Sequence, residues 1–297
     1  MKILVSGPNG LIGSRLIPLL TQEGHETISL SRSPGPGRVT WDPASGRLDP
    51  AVLEGLDGIV HLAGETIAGG RWTPARKEAI RRSRIEGTTL LARAAASLSR
   101  KPSFFITASA LGYFGDRGDT ILDESAPPGG GFLSDTCREW EAAAEPARIA
   151  GIRTLALRIG LVLTPDGGAL AEMLLPFRLG LGARLGNGRQ YWSWITLQDI
   201  VRAIQHLIRT DTLEGPVNGV TGAVTNDEFT RTLNRVLGRP GFLPAPAFAL
   251  RLLLGEMADP LLLFSTRLVP KRLIDSGFSW HDRELEPALR ALLKRPR

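Results

Sequence analysis

The chain has 297 residues, a formal net charge of +6, 42% apolar and 22% charged residues, which is the make-up of an ordinary globular protein. Its 34 Gly and 21 Pro are too few for a collagen-like or disordered chain, and its length suffices for one large domain or two smaller ones. The single cysteine, Cys137, excludes an intramolecular disulfide framework and a cysteine-ligated zinc site, and points to a reducing compartment.

The chain opens with a short apolar run, residues 2–6, suited to a buried strand. It is too soon interrupted by Gly7-Pro8-Asn9-Gly10 to be a signal peptide. No apolar run approaches the roughly 18–20 residues of a membrane span, so a cytoplasmic protein without a membrane partner is expected. Residues 11–22 carry apolar side chains at helical spacing, with Gly24 ending the helix. Strands are predicted at 26–30, 39–41 and 58–62, a long helix at 74–98, a buried strand at 103–108, a helix at 139–150 and an apolar strand at 153–163. This alternation predicts an α/β fold, a Rossmann-type doubly wound parallel sheet. Beyond residue 163 the composition shifts to Gly and Leu, then to helical pieces divided by prolines, which predicts a smaller, mainly helical C-terminal substrate region. The expected division is 1–165 as the nucleotide-binding domain, with 195–222 packing back onto it, and 166–297 as the C-terminal part. The cations are mostly Arg and form no basic run, so nucleic acid is not an expected partner.

Gly7-Pro8-Asn9-Gly10-Leu11-Ile12-Gly13 has the form G-x-x-G-x-x-G between a strand and a helix, the setting of a dinucleotide-binding turn. Gly7 permits the sharp turn, Gly10 lets the backbone approach a pyrophosphate, and Gly13 permits close packing. The helix N-terminus offers N–H groups and partial positive charge to the phosphates. At the end of the second strand an NAD site wants a carboxylate for the ribose hydroxyls, but this chain has Ser31-Arg32-Ser33, with Arg38 nearby. A guanidinium fork suits a 2′-phosphate, so the expected cofactor is NADP(H). No metal is expected.

Several stretches in order carry a resemblance. They include the glycine turn, Leu62-Ala63-Gly64-Glu65, Arg71-Trp72-Thr73, Ser83-Arg84-Ile85-Glu86-Gly87-Thr88, Ser109-Ala110-Leu111-Gly112-Tyr113-Phe114-Gly115, Leu157-Arg158-Ile159-Gly160 and Leu185-Gly186-Asn187-Gly188-Arg189-Gln190. The chain resembles the extended branch of the short-chain dehydrogenase/reductase superfamily. It is most similar there to NAD(P)-dependent epimerase family proteins with a C-terminal domain of unknown function. The resemblance implies that Leu62, Ala63, Gly64 and Glu65 line the cofactor. Thr107, Ala108 and Ser109 would lie beside the nicotinamide, with Arg158 near it and the Gly186–Gln190 loop toward substrate.

The superfamily's usual Tyr-x-x-x-Lys pair is absent: Tyr113 is followed four residues later by Arg117, and Tyr191 by Ile195. By register, Cys137 and Glu141 occupy the tyrosine and lysine positions. A carboxylate raises rather than lowers a neighbouring thiol's pKa, so Cys137 is a poor base. Ser109, to polarise a carbonyl, and Tyr113, as proton donor under the influence of Arg117, are the catalytic expectations. His61 reads as a core histidine. The resulting function is an NADP(H)-binding oxidoreductase or nucleotide-sugar-epimerase-like protein acting on a small carbonyl or hydroxyl substrate, with a homodimer as the expected assembly. The alternative is an NADP(H)-binding sensor or scaffold of little or no activity, which the missing pair motivates.

Overall fold

Residues 1–35, 37–241 and 244–294 are described by the computed structural model. In chain order come β1 (Lys2–Ser6), α1 (Gly13–Gln22), β2 (Glu26–Ser31), β3 (Arg38–Thr40), β4 (Gly58–His61), α2 (Pro74–Ser97) and β5 (Phe104–Ala110). They are followed by β6 (Ile121–Leu122), α3 (Phe132–Ala142), α4 (Glu145–Ile149), β7 (Arg153–Ile159), β8 (Leu161–Leu163), α5 (Gly168–Arg178), β9 (Arg184–Leu185) and β10 (Tyr191–Thr196). The remainder is α6 (Leu197–Arg209), β11 (Gly215–Gly219), β12 (Gly222–Thr225), α7 (Asn226–Leu237), β13 (Pro244–Ala245), α8 (Ala247–Leu254), β14 (Arg267–Leu268), α9 (Lys271–Asp275) and α10 (Leu285–Lys294).

Seven strands form the central sheet in the order β3-β2-β1-β4-β5-β7-β11. β1 pairs in parallel with β2 and β4, β2 with β3, and β4 with β5. The chain leaves β1 to build one wing of the sheet and returns at β4 to build the other. The carboxyl ends of β1 and β4 therefore flank the switch point where doubly wound sheets bind ligands. The core follows from the apolar runs. Leu4, Leu30, Ile59 and Phe105 from successive strands pack with Leu91, Ala92 and Ala95 of α2 and Ala147 of α4. Each fully buried Leu, Ile or Phe contributes about 1.5–3 kcal/mol. α1 buries Leu16 and Leu20, one turn apart, as its apolar periodicity dictates.

Two expected elements are divided. The helix expected at 139–150 is α3 followed by α4: α3 begins earlier, at Phe132, and Pro146 opens α4, because proline cannot donate into a continuing helix but suits a first turn. The strand expected at 153–163 is β7 in the central sheet and β8 in a separate three-stranded sheet, β12-β10-β8. Gly160 separates them, and a Cβ there would lie 2.6 Å from Val220 Cγ1 and 2.7 Å from the Ser193 carbonyl oxygen.

By internal contacts the chain forms two units. The first comprises Met1–Ala110, Asp135–Arg158 and Ile204–Val217; the second comprises Leu111–Ser134, Ile159–Ala203 and the residues from Asn218 onward. In the second unit, Leu163, Leu170, Trp194, Phe229, Leu233 and Leu289 form a core of their own. Among the described residues no helix is long and apolar enough to cross a membrane.

Candidate functional site

The glycine turn after β1 is built as its sequence demands. Gly7 has φ +71°, and its carbonyl accepts from Gly10 N at 3.0 Å. A Cβ on Gly13 would lie 2.2 Å from the Gly7 carbonyl oxygen, so the first residue of α1 rests on the turn itself. No side chain caps α1 at Ile12, and no acidic residue occupies its first turn. Such an end leaves N–H groups and positive potential for an anion.

The loop after β4 is fastened to β1 by Ser6. Its Oγ accepts from Leu62 N at 3.0 Å and Ala63 N at 3.2 Å, and lies 2.6 Å from His61 Nδ1. With both oxygen lone pairs engaged, the hydroxyl proton donates to Nδ1, which makes His61 the Nε2–H tautomer. Burial pushes His61 down to about 3, so it is neutral and serves the loop from within the core. Ser6 was not singled out from the sequence; the available signal was a lone hydroxyl ending a buried strand, one residue before the glycine turn.

The expected cofactor residues of the first unit gather around these two loops. At the end of β2, Ser31 Oγ accepts from Ser33 N at 3.2 Å, and Arg32 is exposed. Arg38, at the start of β3, donates from Nη2 to Asn9 Oδ1 of the glycine turn at 3.3 Å. Glu65 receives Arg76 Nη1 at 2.9 Å, while its backbone N–H donates to Ser83 Oγ. Its carboxylate is thus engaged by an ion pair. Thr107, Ala108 and Ser109 lie at the buried C-terminal end of β5, beside β4.

The positions of the missing pair hold different chemistry. Cys137 and Glu141 share α3, four residues apart and hence on one helix face. Cys137 is buried and its thiol is pushed up to about 12, first by burial and then by the Glu141 charge. It should remain unmodified by iodoacetamide at pH 8 in the folded protein and react fully after denaturation; rapid native labelling would contradict this environment.

Glu141 Oε1 accepts from Ser109 Oγ at 2.7 Å and from Arg158 Nε at 2.8 Å, and Oε2 accepts from Arg158 Nη2 at 2.8 Å. The side chains of Arg158 and Glu141 are 3% and 16% exposed. A strand-end serine, a helix carboxylate and a bidentate arginine therefore form one hydrogen-bonded unit. The sequence pointed to Ser109, Glu141 and Arg158 one by one; their connection depends on β5, α3 and β7 being brought together by the sheet.

Arg84 was not singled out either. It lies on the buried stripe of α2 with Ile80, Gly87, Thr88 and Leu91. That stripe is readable from the helical spacing, where an arginine is out of place.

In the second unit, Tyr113 sits in the turn Leu111–Phe114, edge-on to Phe114. Arg117 spends its donors on the carbonyls of Phe114, Pro127 and Pro128, which keeps the guanidinium tied to the loop backbone. Gln190 is buried, and its amide donates to the carbonyls of Leu185 and Leu262. Its amide donors thereby hold the Gly186–Gln190 loop in shape.

Comparison with known families matches residues 3–218 to the NAD dependent epimerase/dehydratase family and residues 245–292 to a domain of unknown function, DUF1731. The chain is 42% identical over 298 residues to epimerase family protein Mb2239 of Mycobacterium bovis, covering 99% of this chain and 98% of that one. It is 36% identical over 299 residues to epimerase family protein SDR39U1 of Homo sapiens, covering 99% and 100% respectively. The crystal structure of human SDR39U1 (isoform 2) with NADPH matches with a TM-score of 0.90 at 34% identity, covering 100% of both chains.

Proposed function

The chain belongs to the NAD dependent epimerase/dehydratase family, and from that premise we propose that it is an NADP(H)-dependent oxidoreductase or epimerase-like enzyme. Its substrate is a small compound presenting a carbonyl or hydroxyl, and Ser109, Glu141 and Arg158 manage the proton. The observation that carries this reading is the Ser109–Glu141 hydrogen bond at the carboxyl end of β5.

The fit of the cofactor is supported by the turn. A glycine turn packed so closely against α1 that Gly13 admits no Cβ, an uncapped helix N-terminus, and Arg32 with Arg38 at the end of β2 and start of β3 support a site for a dinucleotide with a 2′-phosphate. The human relative crystallised with NADPH supports the same cofactor. Bound there, NADP(H) supplies or accepts the hydride.

The chain's own residues handle the accompanying proton. Ser109 donates its hydroxyl proton to Glu141, so toward a ligand its oxygen is an acceptor. A substrate hydroxyl donating to Ser109 Oγ passes its proton there as the serine proton moves to Glu141 Oε1; a carbonyl receives it by the reverse path. Arg158 holds both carboxylate oxygens and keeps Oε1 aimed at Ser109. Tyr113 is retained as the other proton donor of this reading.

Two titrations test the proposal. Tryptophan fluorescence should show NADPH binding more tightly than NADH. Arg32→Ala should cost NADPH about 1.5–3 kcal/mol, or roughly 10- to 100-fold in affinity, with little effect on NADH. Equal affinity for both cofactors in the unaltered protein would remove the assignment of Arg32. NADPH consumption against a panel of small aldehydes and ketones then separates enzyme from sensor. A protein that binds NADPH and turns over nothing favours the sensor, a reading that the neutral thiol of Cys137 at the expected base position supports.

A further inference from the structure

Two polar side chains of the second unit are deeply buried, and both open onto one cleft. Trp194 on β10 is 2% exposed and Thr232 on α7 is 7% exposed. Among the described residues the Trp194 indole N–H and the Thr232 hydroxyl make no hydrogen bond, although a buried tryptophan N–H usually has an acceptor. Neither atom is fully enclosed, because both residues line a cleft of about 580 Å³. Helical spacing sets Glu228, Arg231, Thr232 and Arg235 on the face of α7 that borders it. Its other walls are the strand residues Gly222–Val224 and the first turn of α10, where Leu285 and Pro287 add apolar surface.

Three arginines and three glutamates line the cleft, so it carries no net charge. Arg231 is paired with Asp227, and Arg235 with Glu286. Arg283 donates only to Ser279 Oγ, at 3.3 Å, and neither it, Glu228 nor Glu284 has an ion-pair partner among the described residues. Uncompensated charges of both signs therefore border two buried hydrogen-bonding groups. A simple anion would meet the unpaired glutamates. A simple cation would leave the buried indole N–H unused. A ligand that carries both charges satisfies all of them.

We infer that this cleft is a binding site for a free α-amino acid with an apolar side chain. The carboxylate accepts from Trp194 Nε1, from the Thr232 hydroxyl and from Arg283, and the ammonium donates to Glu228. Such charge-assisted bonds are shorter and stronger than neutral ones. Glu228 and Thr232 are four residues apart on α7, which sets their Cβ atoms about 5–6 Å from each other, a span that the two charged ends of one amino acid bridge. The apolar side chain rests on Val224, Leu285 and Pro287. The cleft volume falls within the roughly 300–1,000 Å³ of small-molecule sites. The site shares no residue with the glycine turn or with Ser109, Glu141 and Arg158, so it does not depend on the enzyme reading.

Calorimetry on the full chain compares alanine, leucine and phenylalanine with their N-acetyl forms, which lack the ammonium, and their amides, which lack the carboxylate. At least one free amino acid should bind in the micromolar to low millimolar range, ten or more times tighter than both of its blocked forms. The six tryptophans give six indole N–H signals by NMR, and the signal missing from Trp194→Phe is that of Trp194. It should move as the amino acid is added. Thr232→Val, which keeps the volume and loses the hydroxyl, should weaken binding by about 3- to 10-fold. Glu228→Gln should weaken it by at least as much and leave NADPH affinity within twofold. Because Glu228 is exposed, this variant keeps the inference testable if the buried ones do not fold. Absence of binding by every free amino acid overturns the inference, as does equal binding of the blocked forms. A Trp194 signal that stays fixed at saturation, or an affinity unchanged in Glu228→Gln, overturns it too.

Discussion

Glu141→Gln should lower turnover by about 10²- to 10⁴-fold, the usual worth of a positioned proton acceptor, while leaving NADPH affinity nearly unchanged. The amide keeps an oxygen to receive Ser109 or Arg158, so the shape of the site is largely preserved. It cannot take up the serine proton, so the transfer from substrate through Ser109 Oγ stops. The same change removes the Glu141 carboxylate charge from its ion pair with Arg158, which is 3% exposed. Breaking a buried ion pair from one side costs about 3–5 kcal/mol. The remaining oxygen acceptor and the 16% exposure of Glu141 place this case toward the lower end. Kinetics and urea unfolding therefore need to be read together. Ser109→Ala is the partner experiment: it breaks the relay without touching the ion pair, and should lose activity with a much smaller loss of stability. Turnover near the unaltered rate in a folded Glu141→Gln protein would eliminate Glu141 as proton acceptor. Turnover surviving both Ser109→Ala and Tyr113→Phe would remove both donors named here.

How far the site can be read from the sequence depends on the range of the forces that make it. The turn from Gly7 to Gly13 is a local solution: its glycines, the apolar strand before it and the helical spacing after it lie within about twenty residues. The Arg32 argument is local in the same way. The division of the expected 153–163 strand is not, because Gly160 is hemmed in by Ser193 and Val220, tens of residues away in sequence. The early start of α3 at Phe132 was missed, although Asp135 in its first turn suits the helix dipole. Most consequential is Glu141. In the sequence it registers as a missing lysine; in the fold it has an arginine from β7 and a serine from β5. A cation is still present in the site, but on a different strand, and no spacing rule along one helix can find it. Arg84 is legible as an anomaly, a charge on the apolar stripe of α2.

Gly13→Ala carries the other large effect, and its direction runs against the ordinary rule. In a helix interior, replacing glycine by alanine gains about 0.5–1 kcal/mol from reduced backbone freedom. Here the new Cβ would sit 2.2 Å from the Gly7 carbonyl oxygen, 3.0 Å from its carbon and 3.2 Å from Pro8 Cα. All three are backbone atoms and cannot rotate aside, so the turn has to open or α1 has to withdraw from it. Overpacking of this kind costs about 1–3 kcal/mol. Opening the turn would also displace the N–H groups of the α1 N-terminus proposed to hold the pyrophosphate, so NADPH binding should weaken by about 100-fold or more. Gly10→Ala is the graded control. Its Cβ would stand 3.2 Å from the Gly7 oxygen, a contact that small shifts relieve, so stability should change little. NADPH affinity should still fall if, as the turn motif implies, the backbone at Gly10 closely approaches the pyrophosphate. If Gly13→Ala unfolds at the unaltered urea midpoint and binds NADPH normally, the turn is pliable and the cradle argument fails. If Gly13→Ala loses both stability and binding while Gly10→Ala loses binding alone, steric support and phosphate contact are separated within one seven-residue turn.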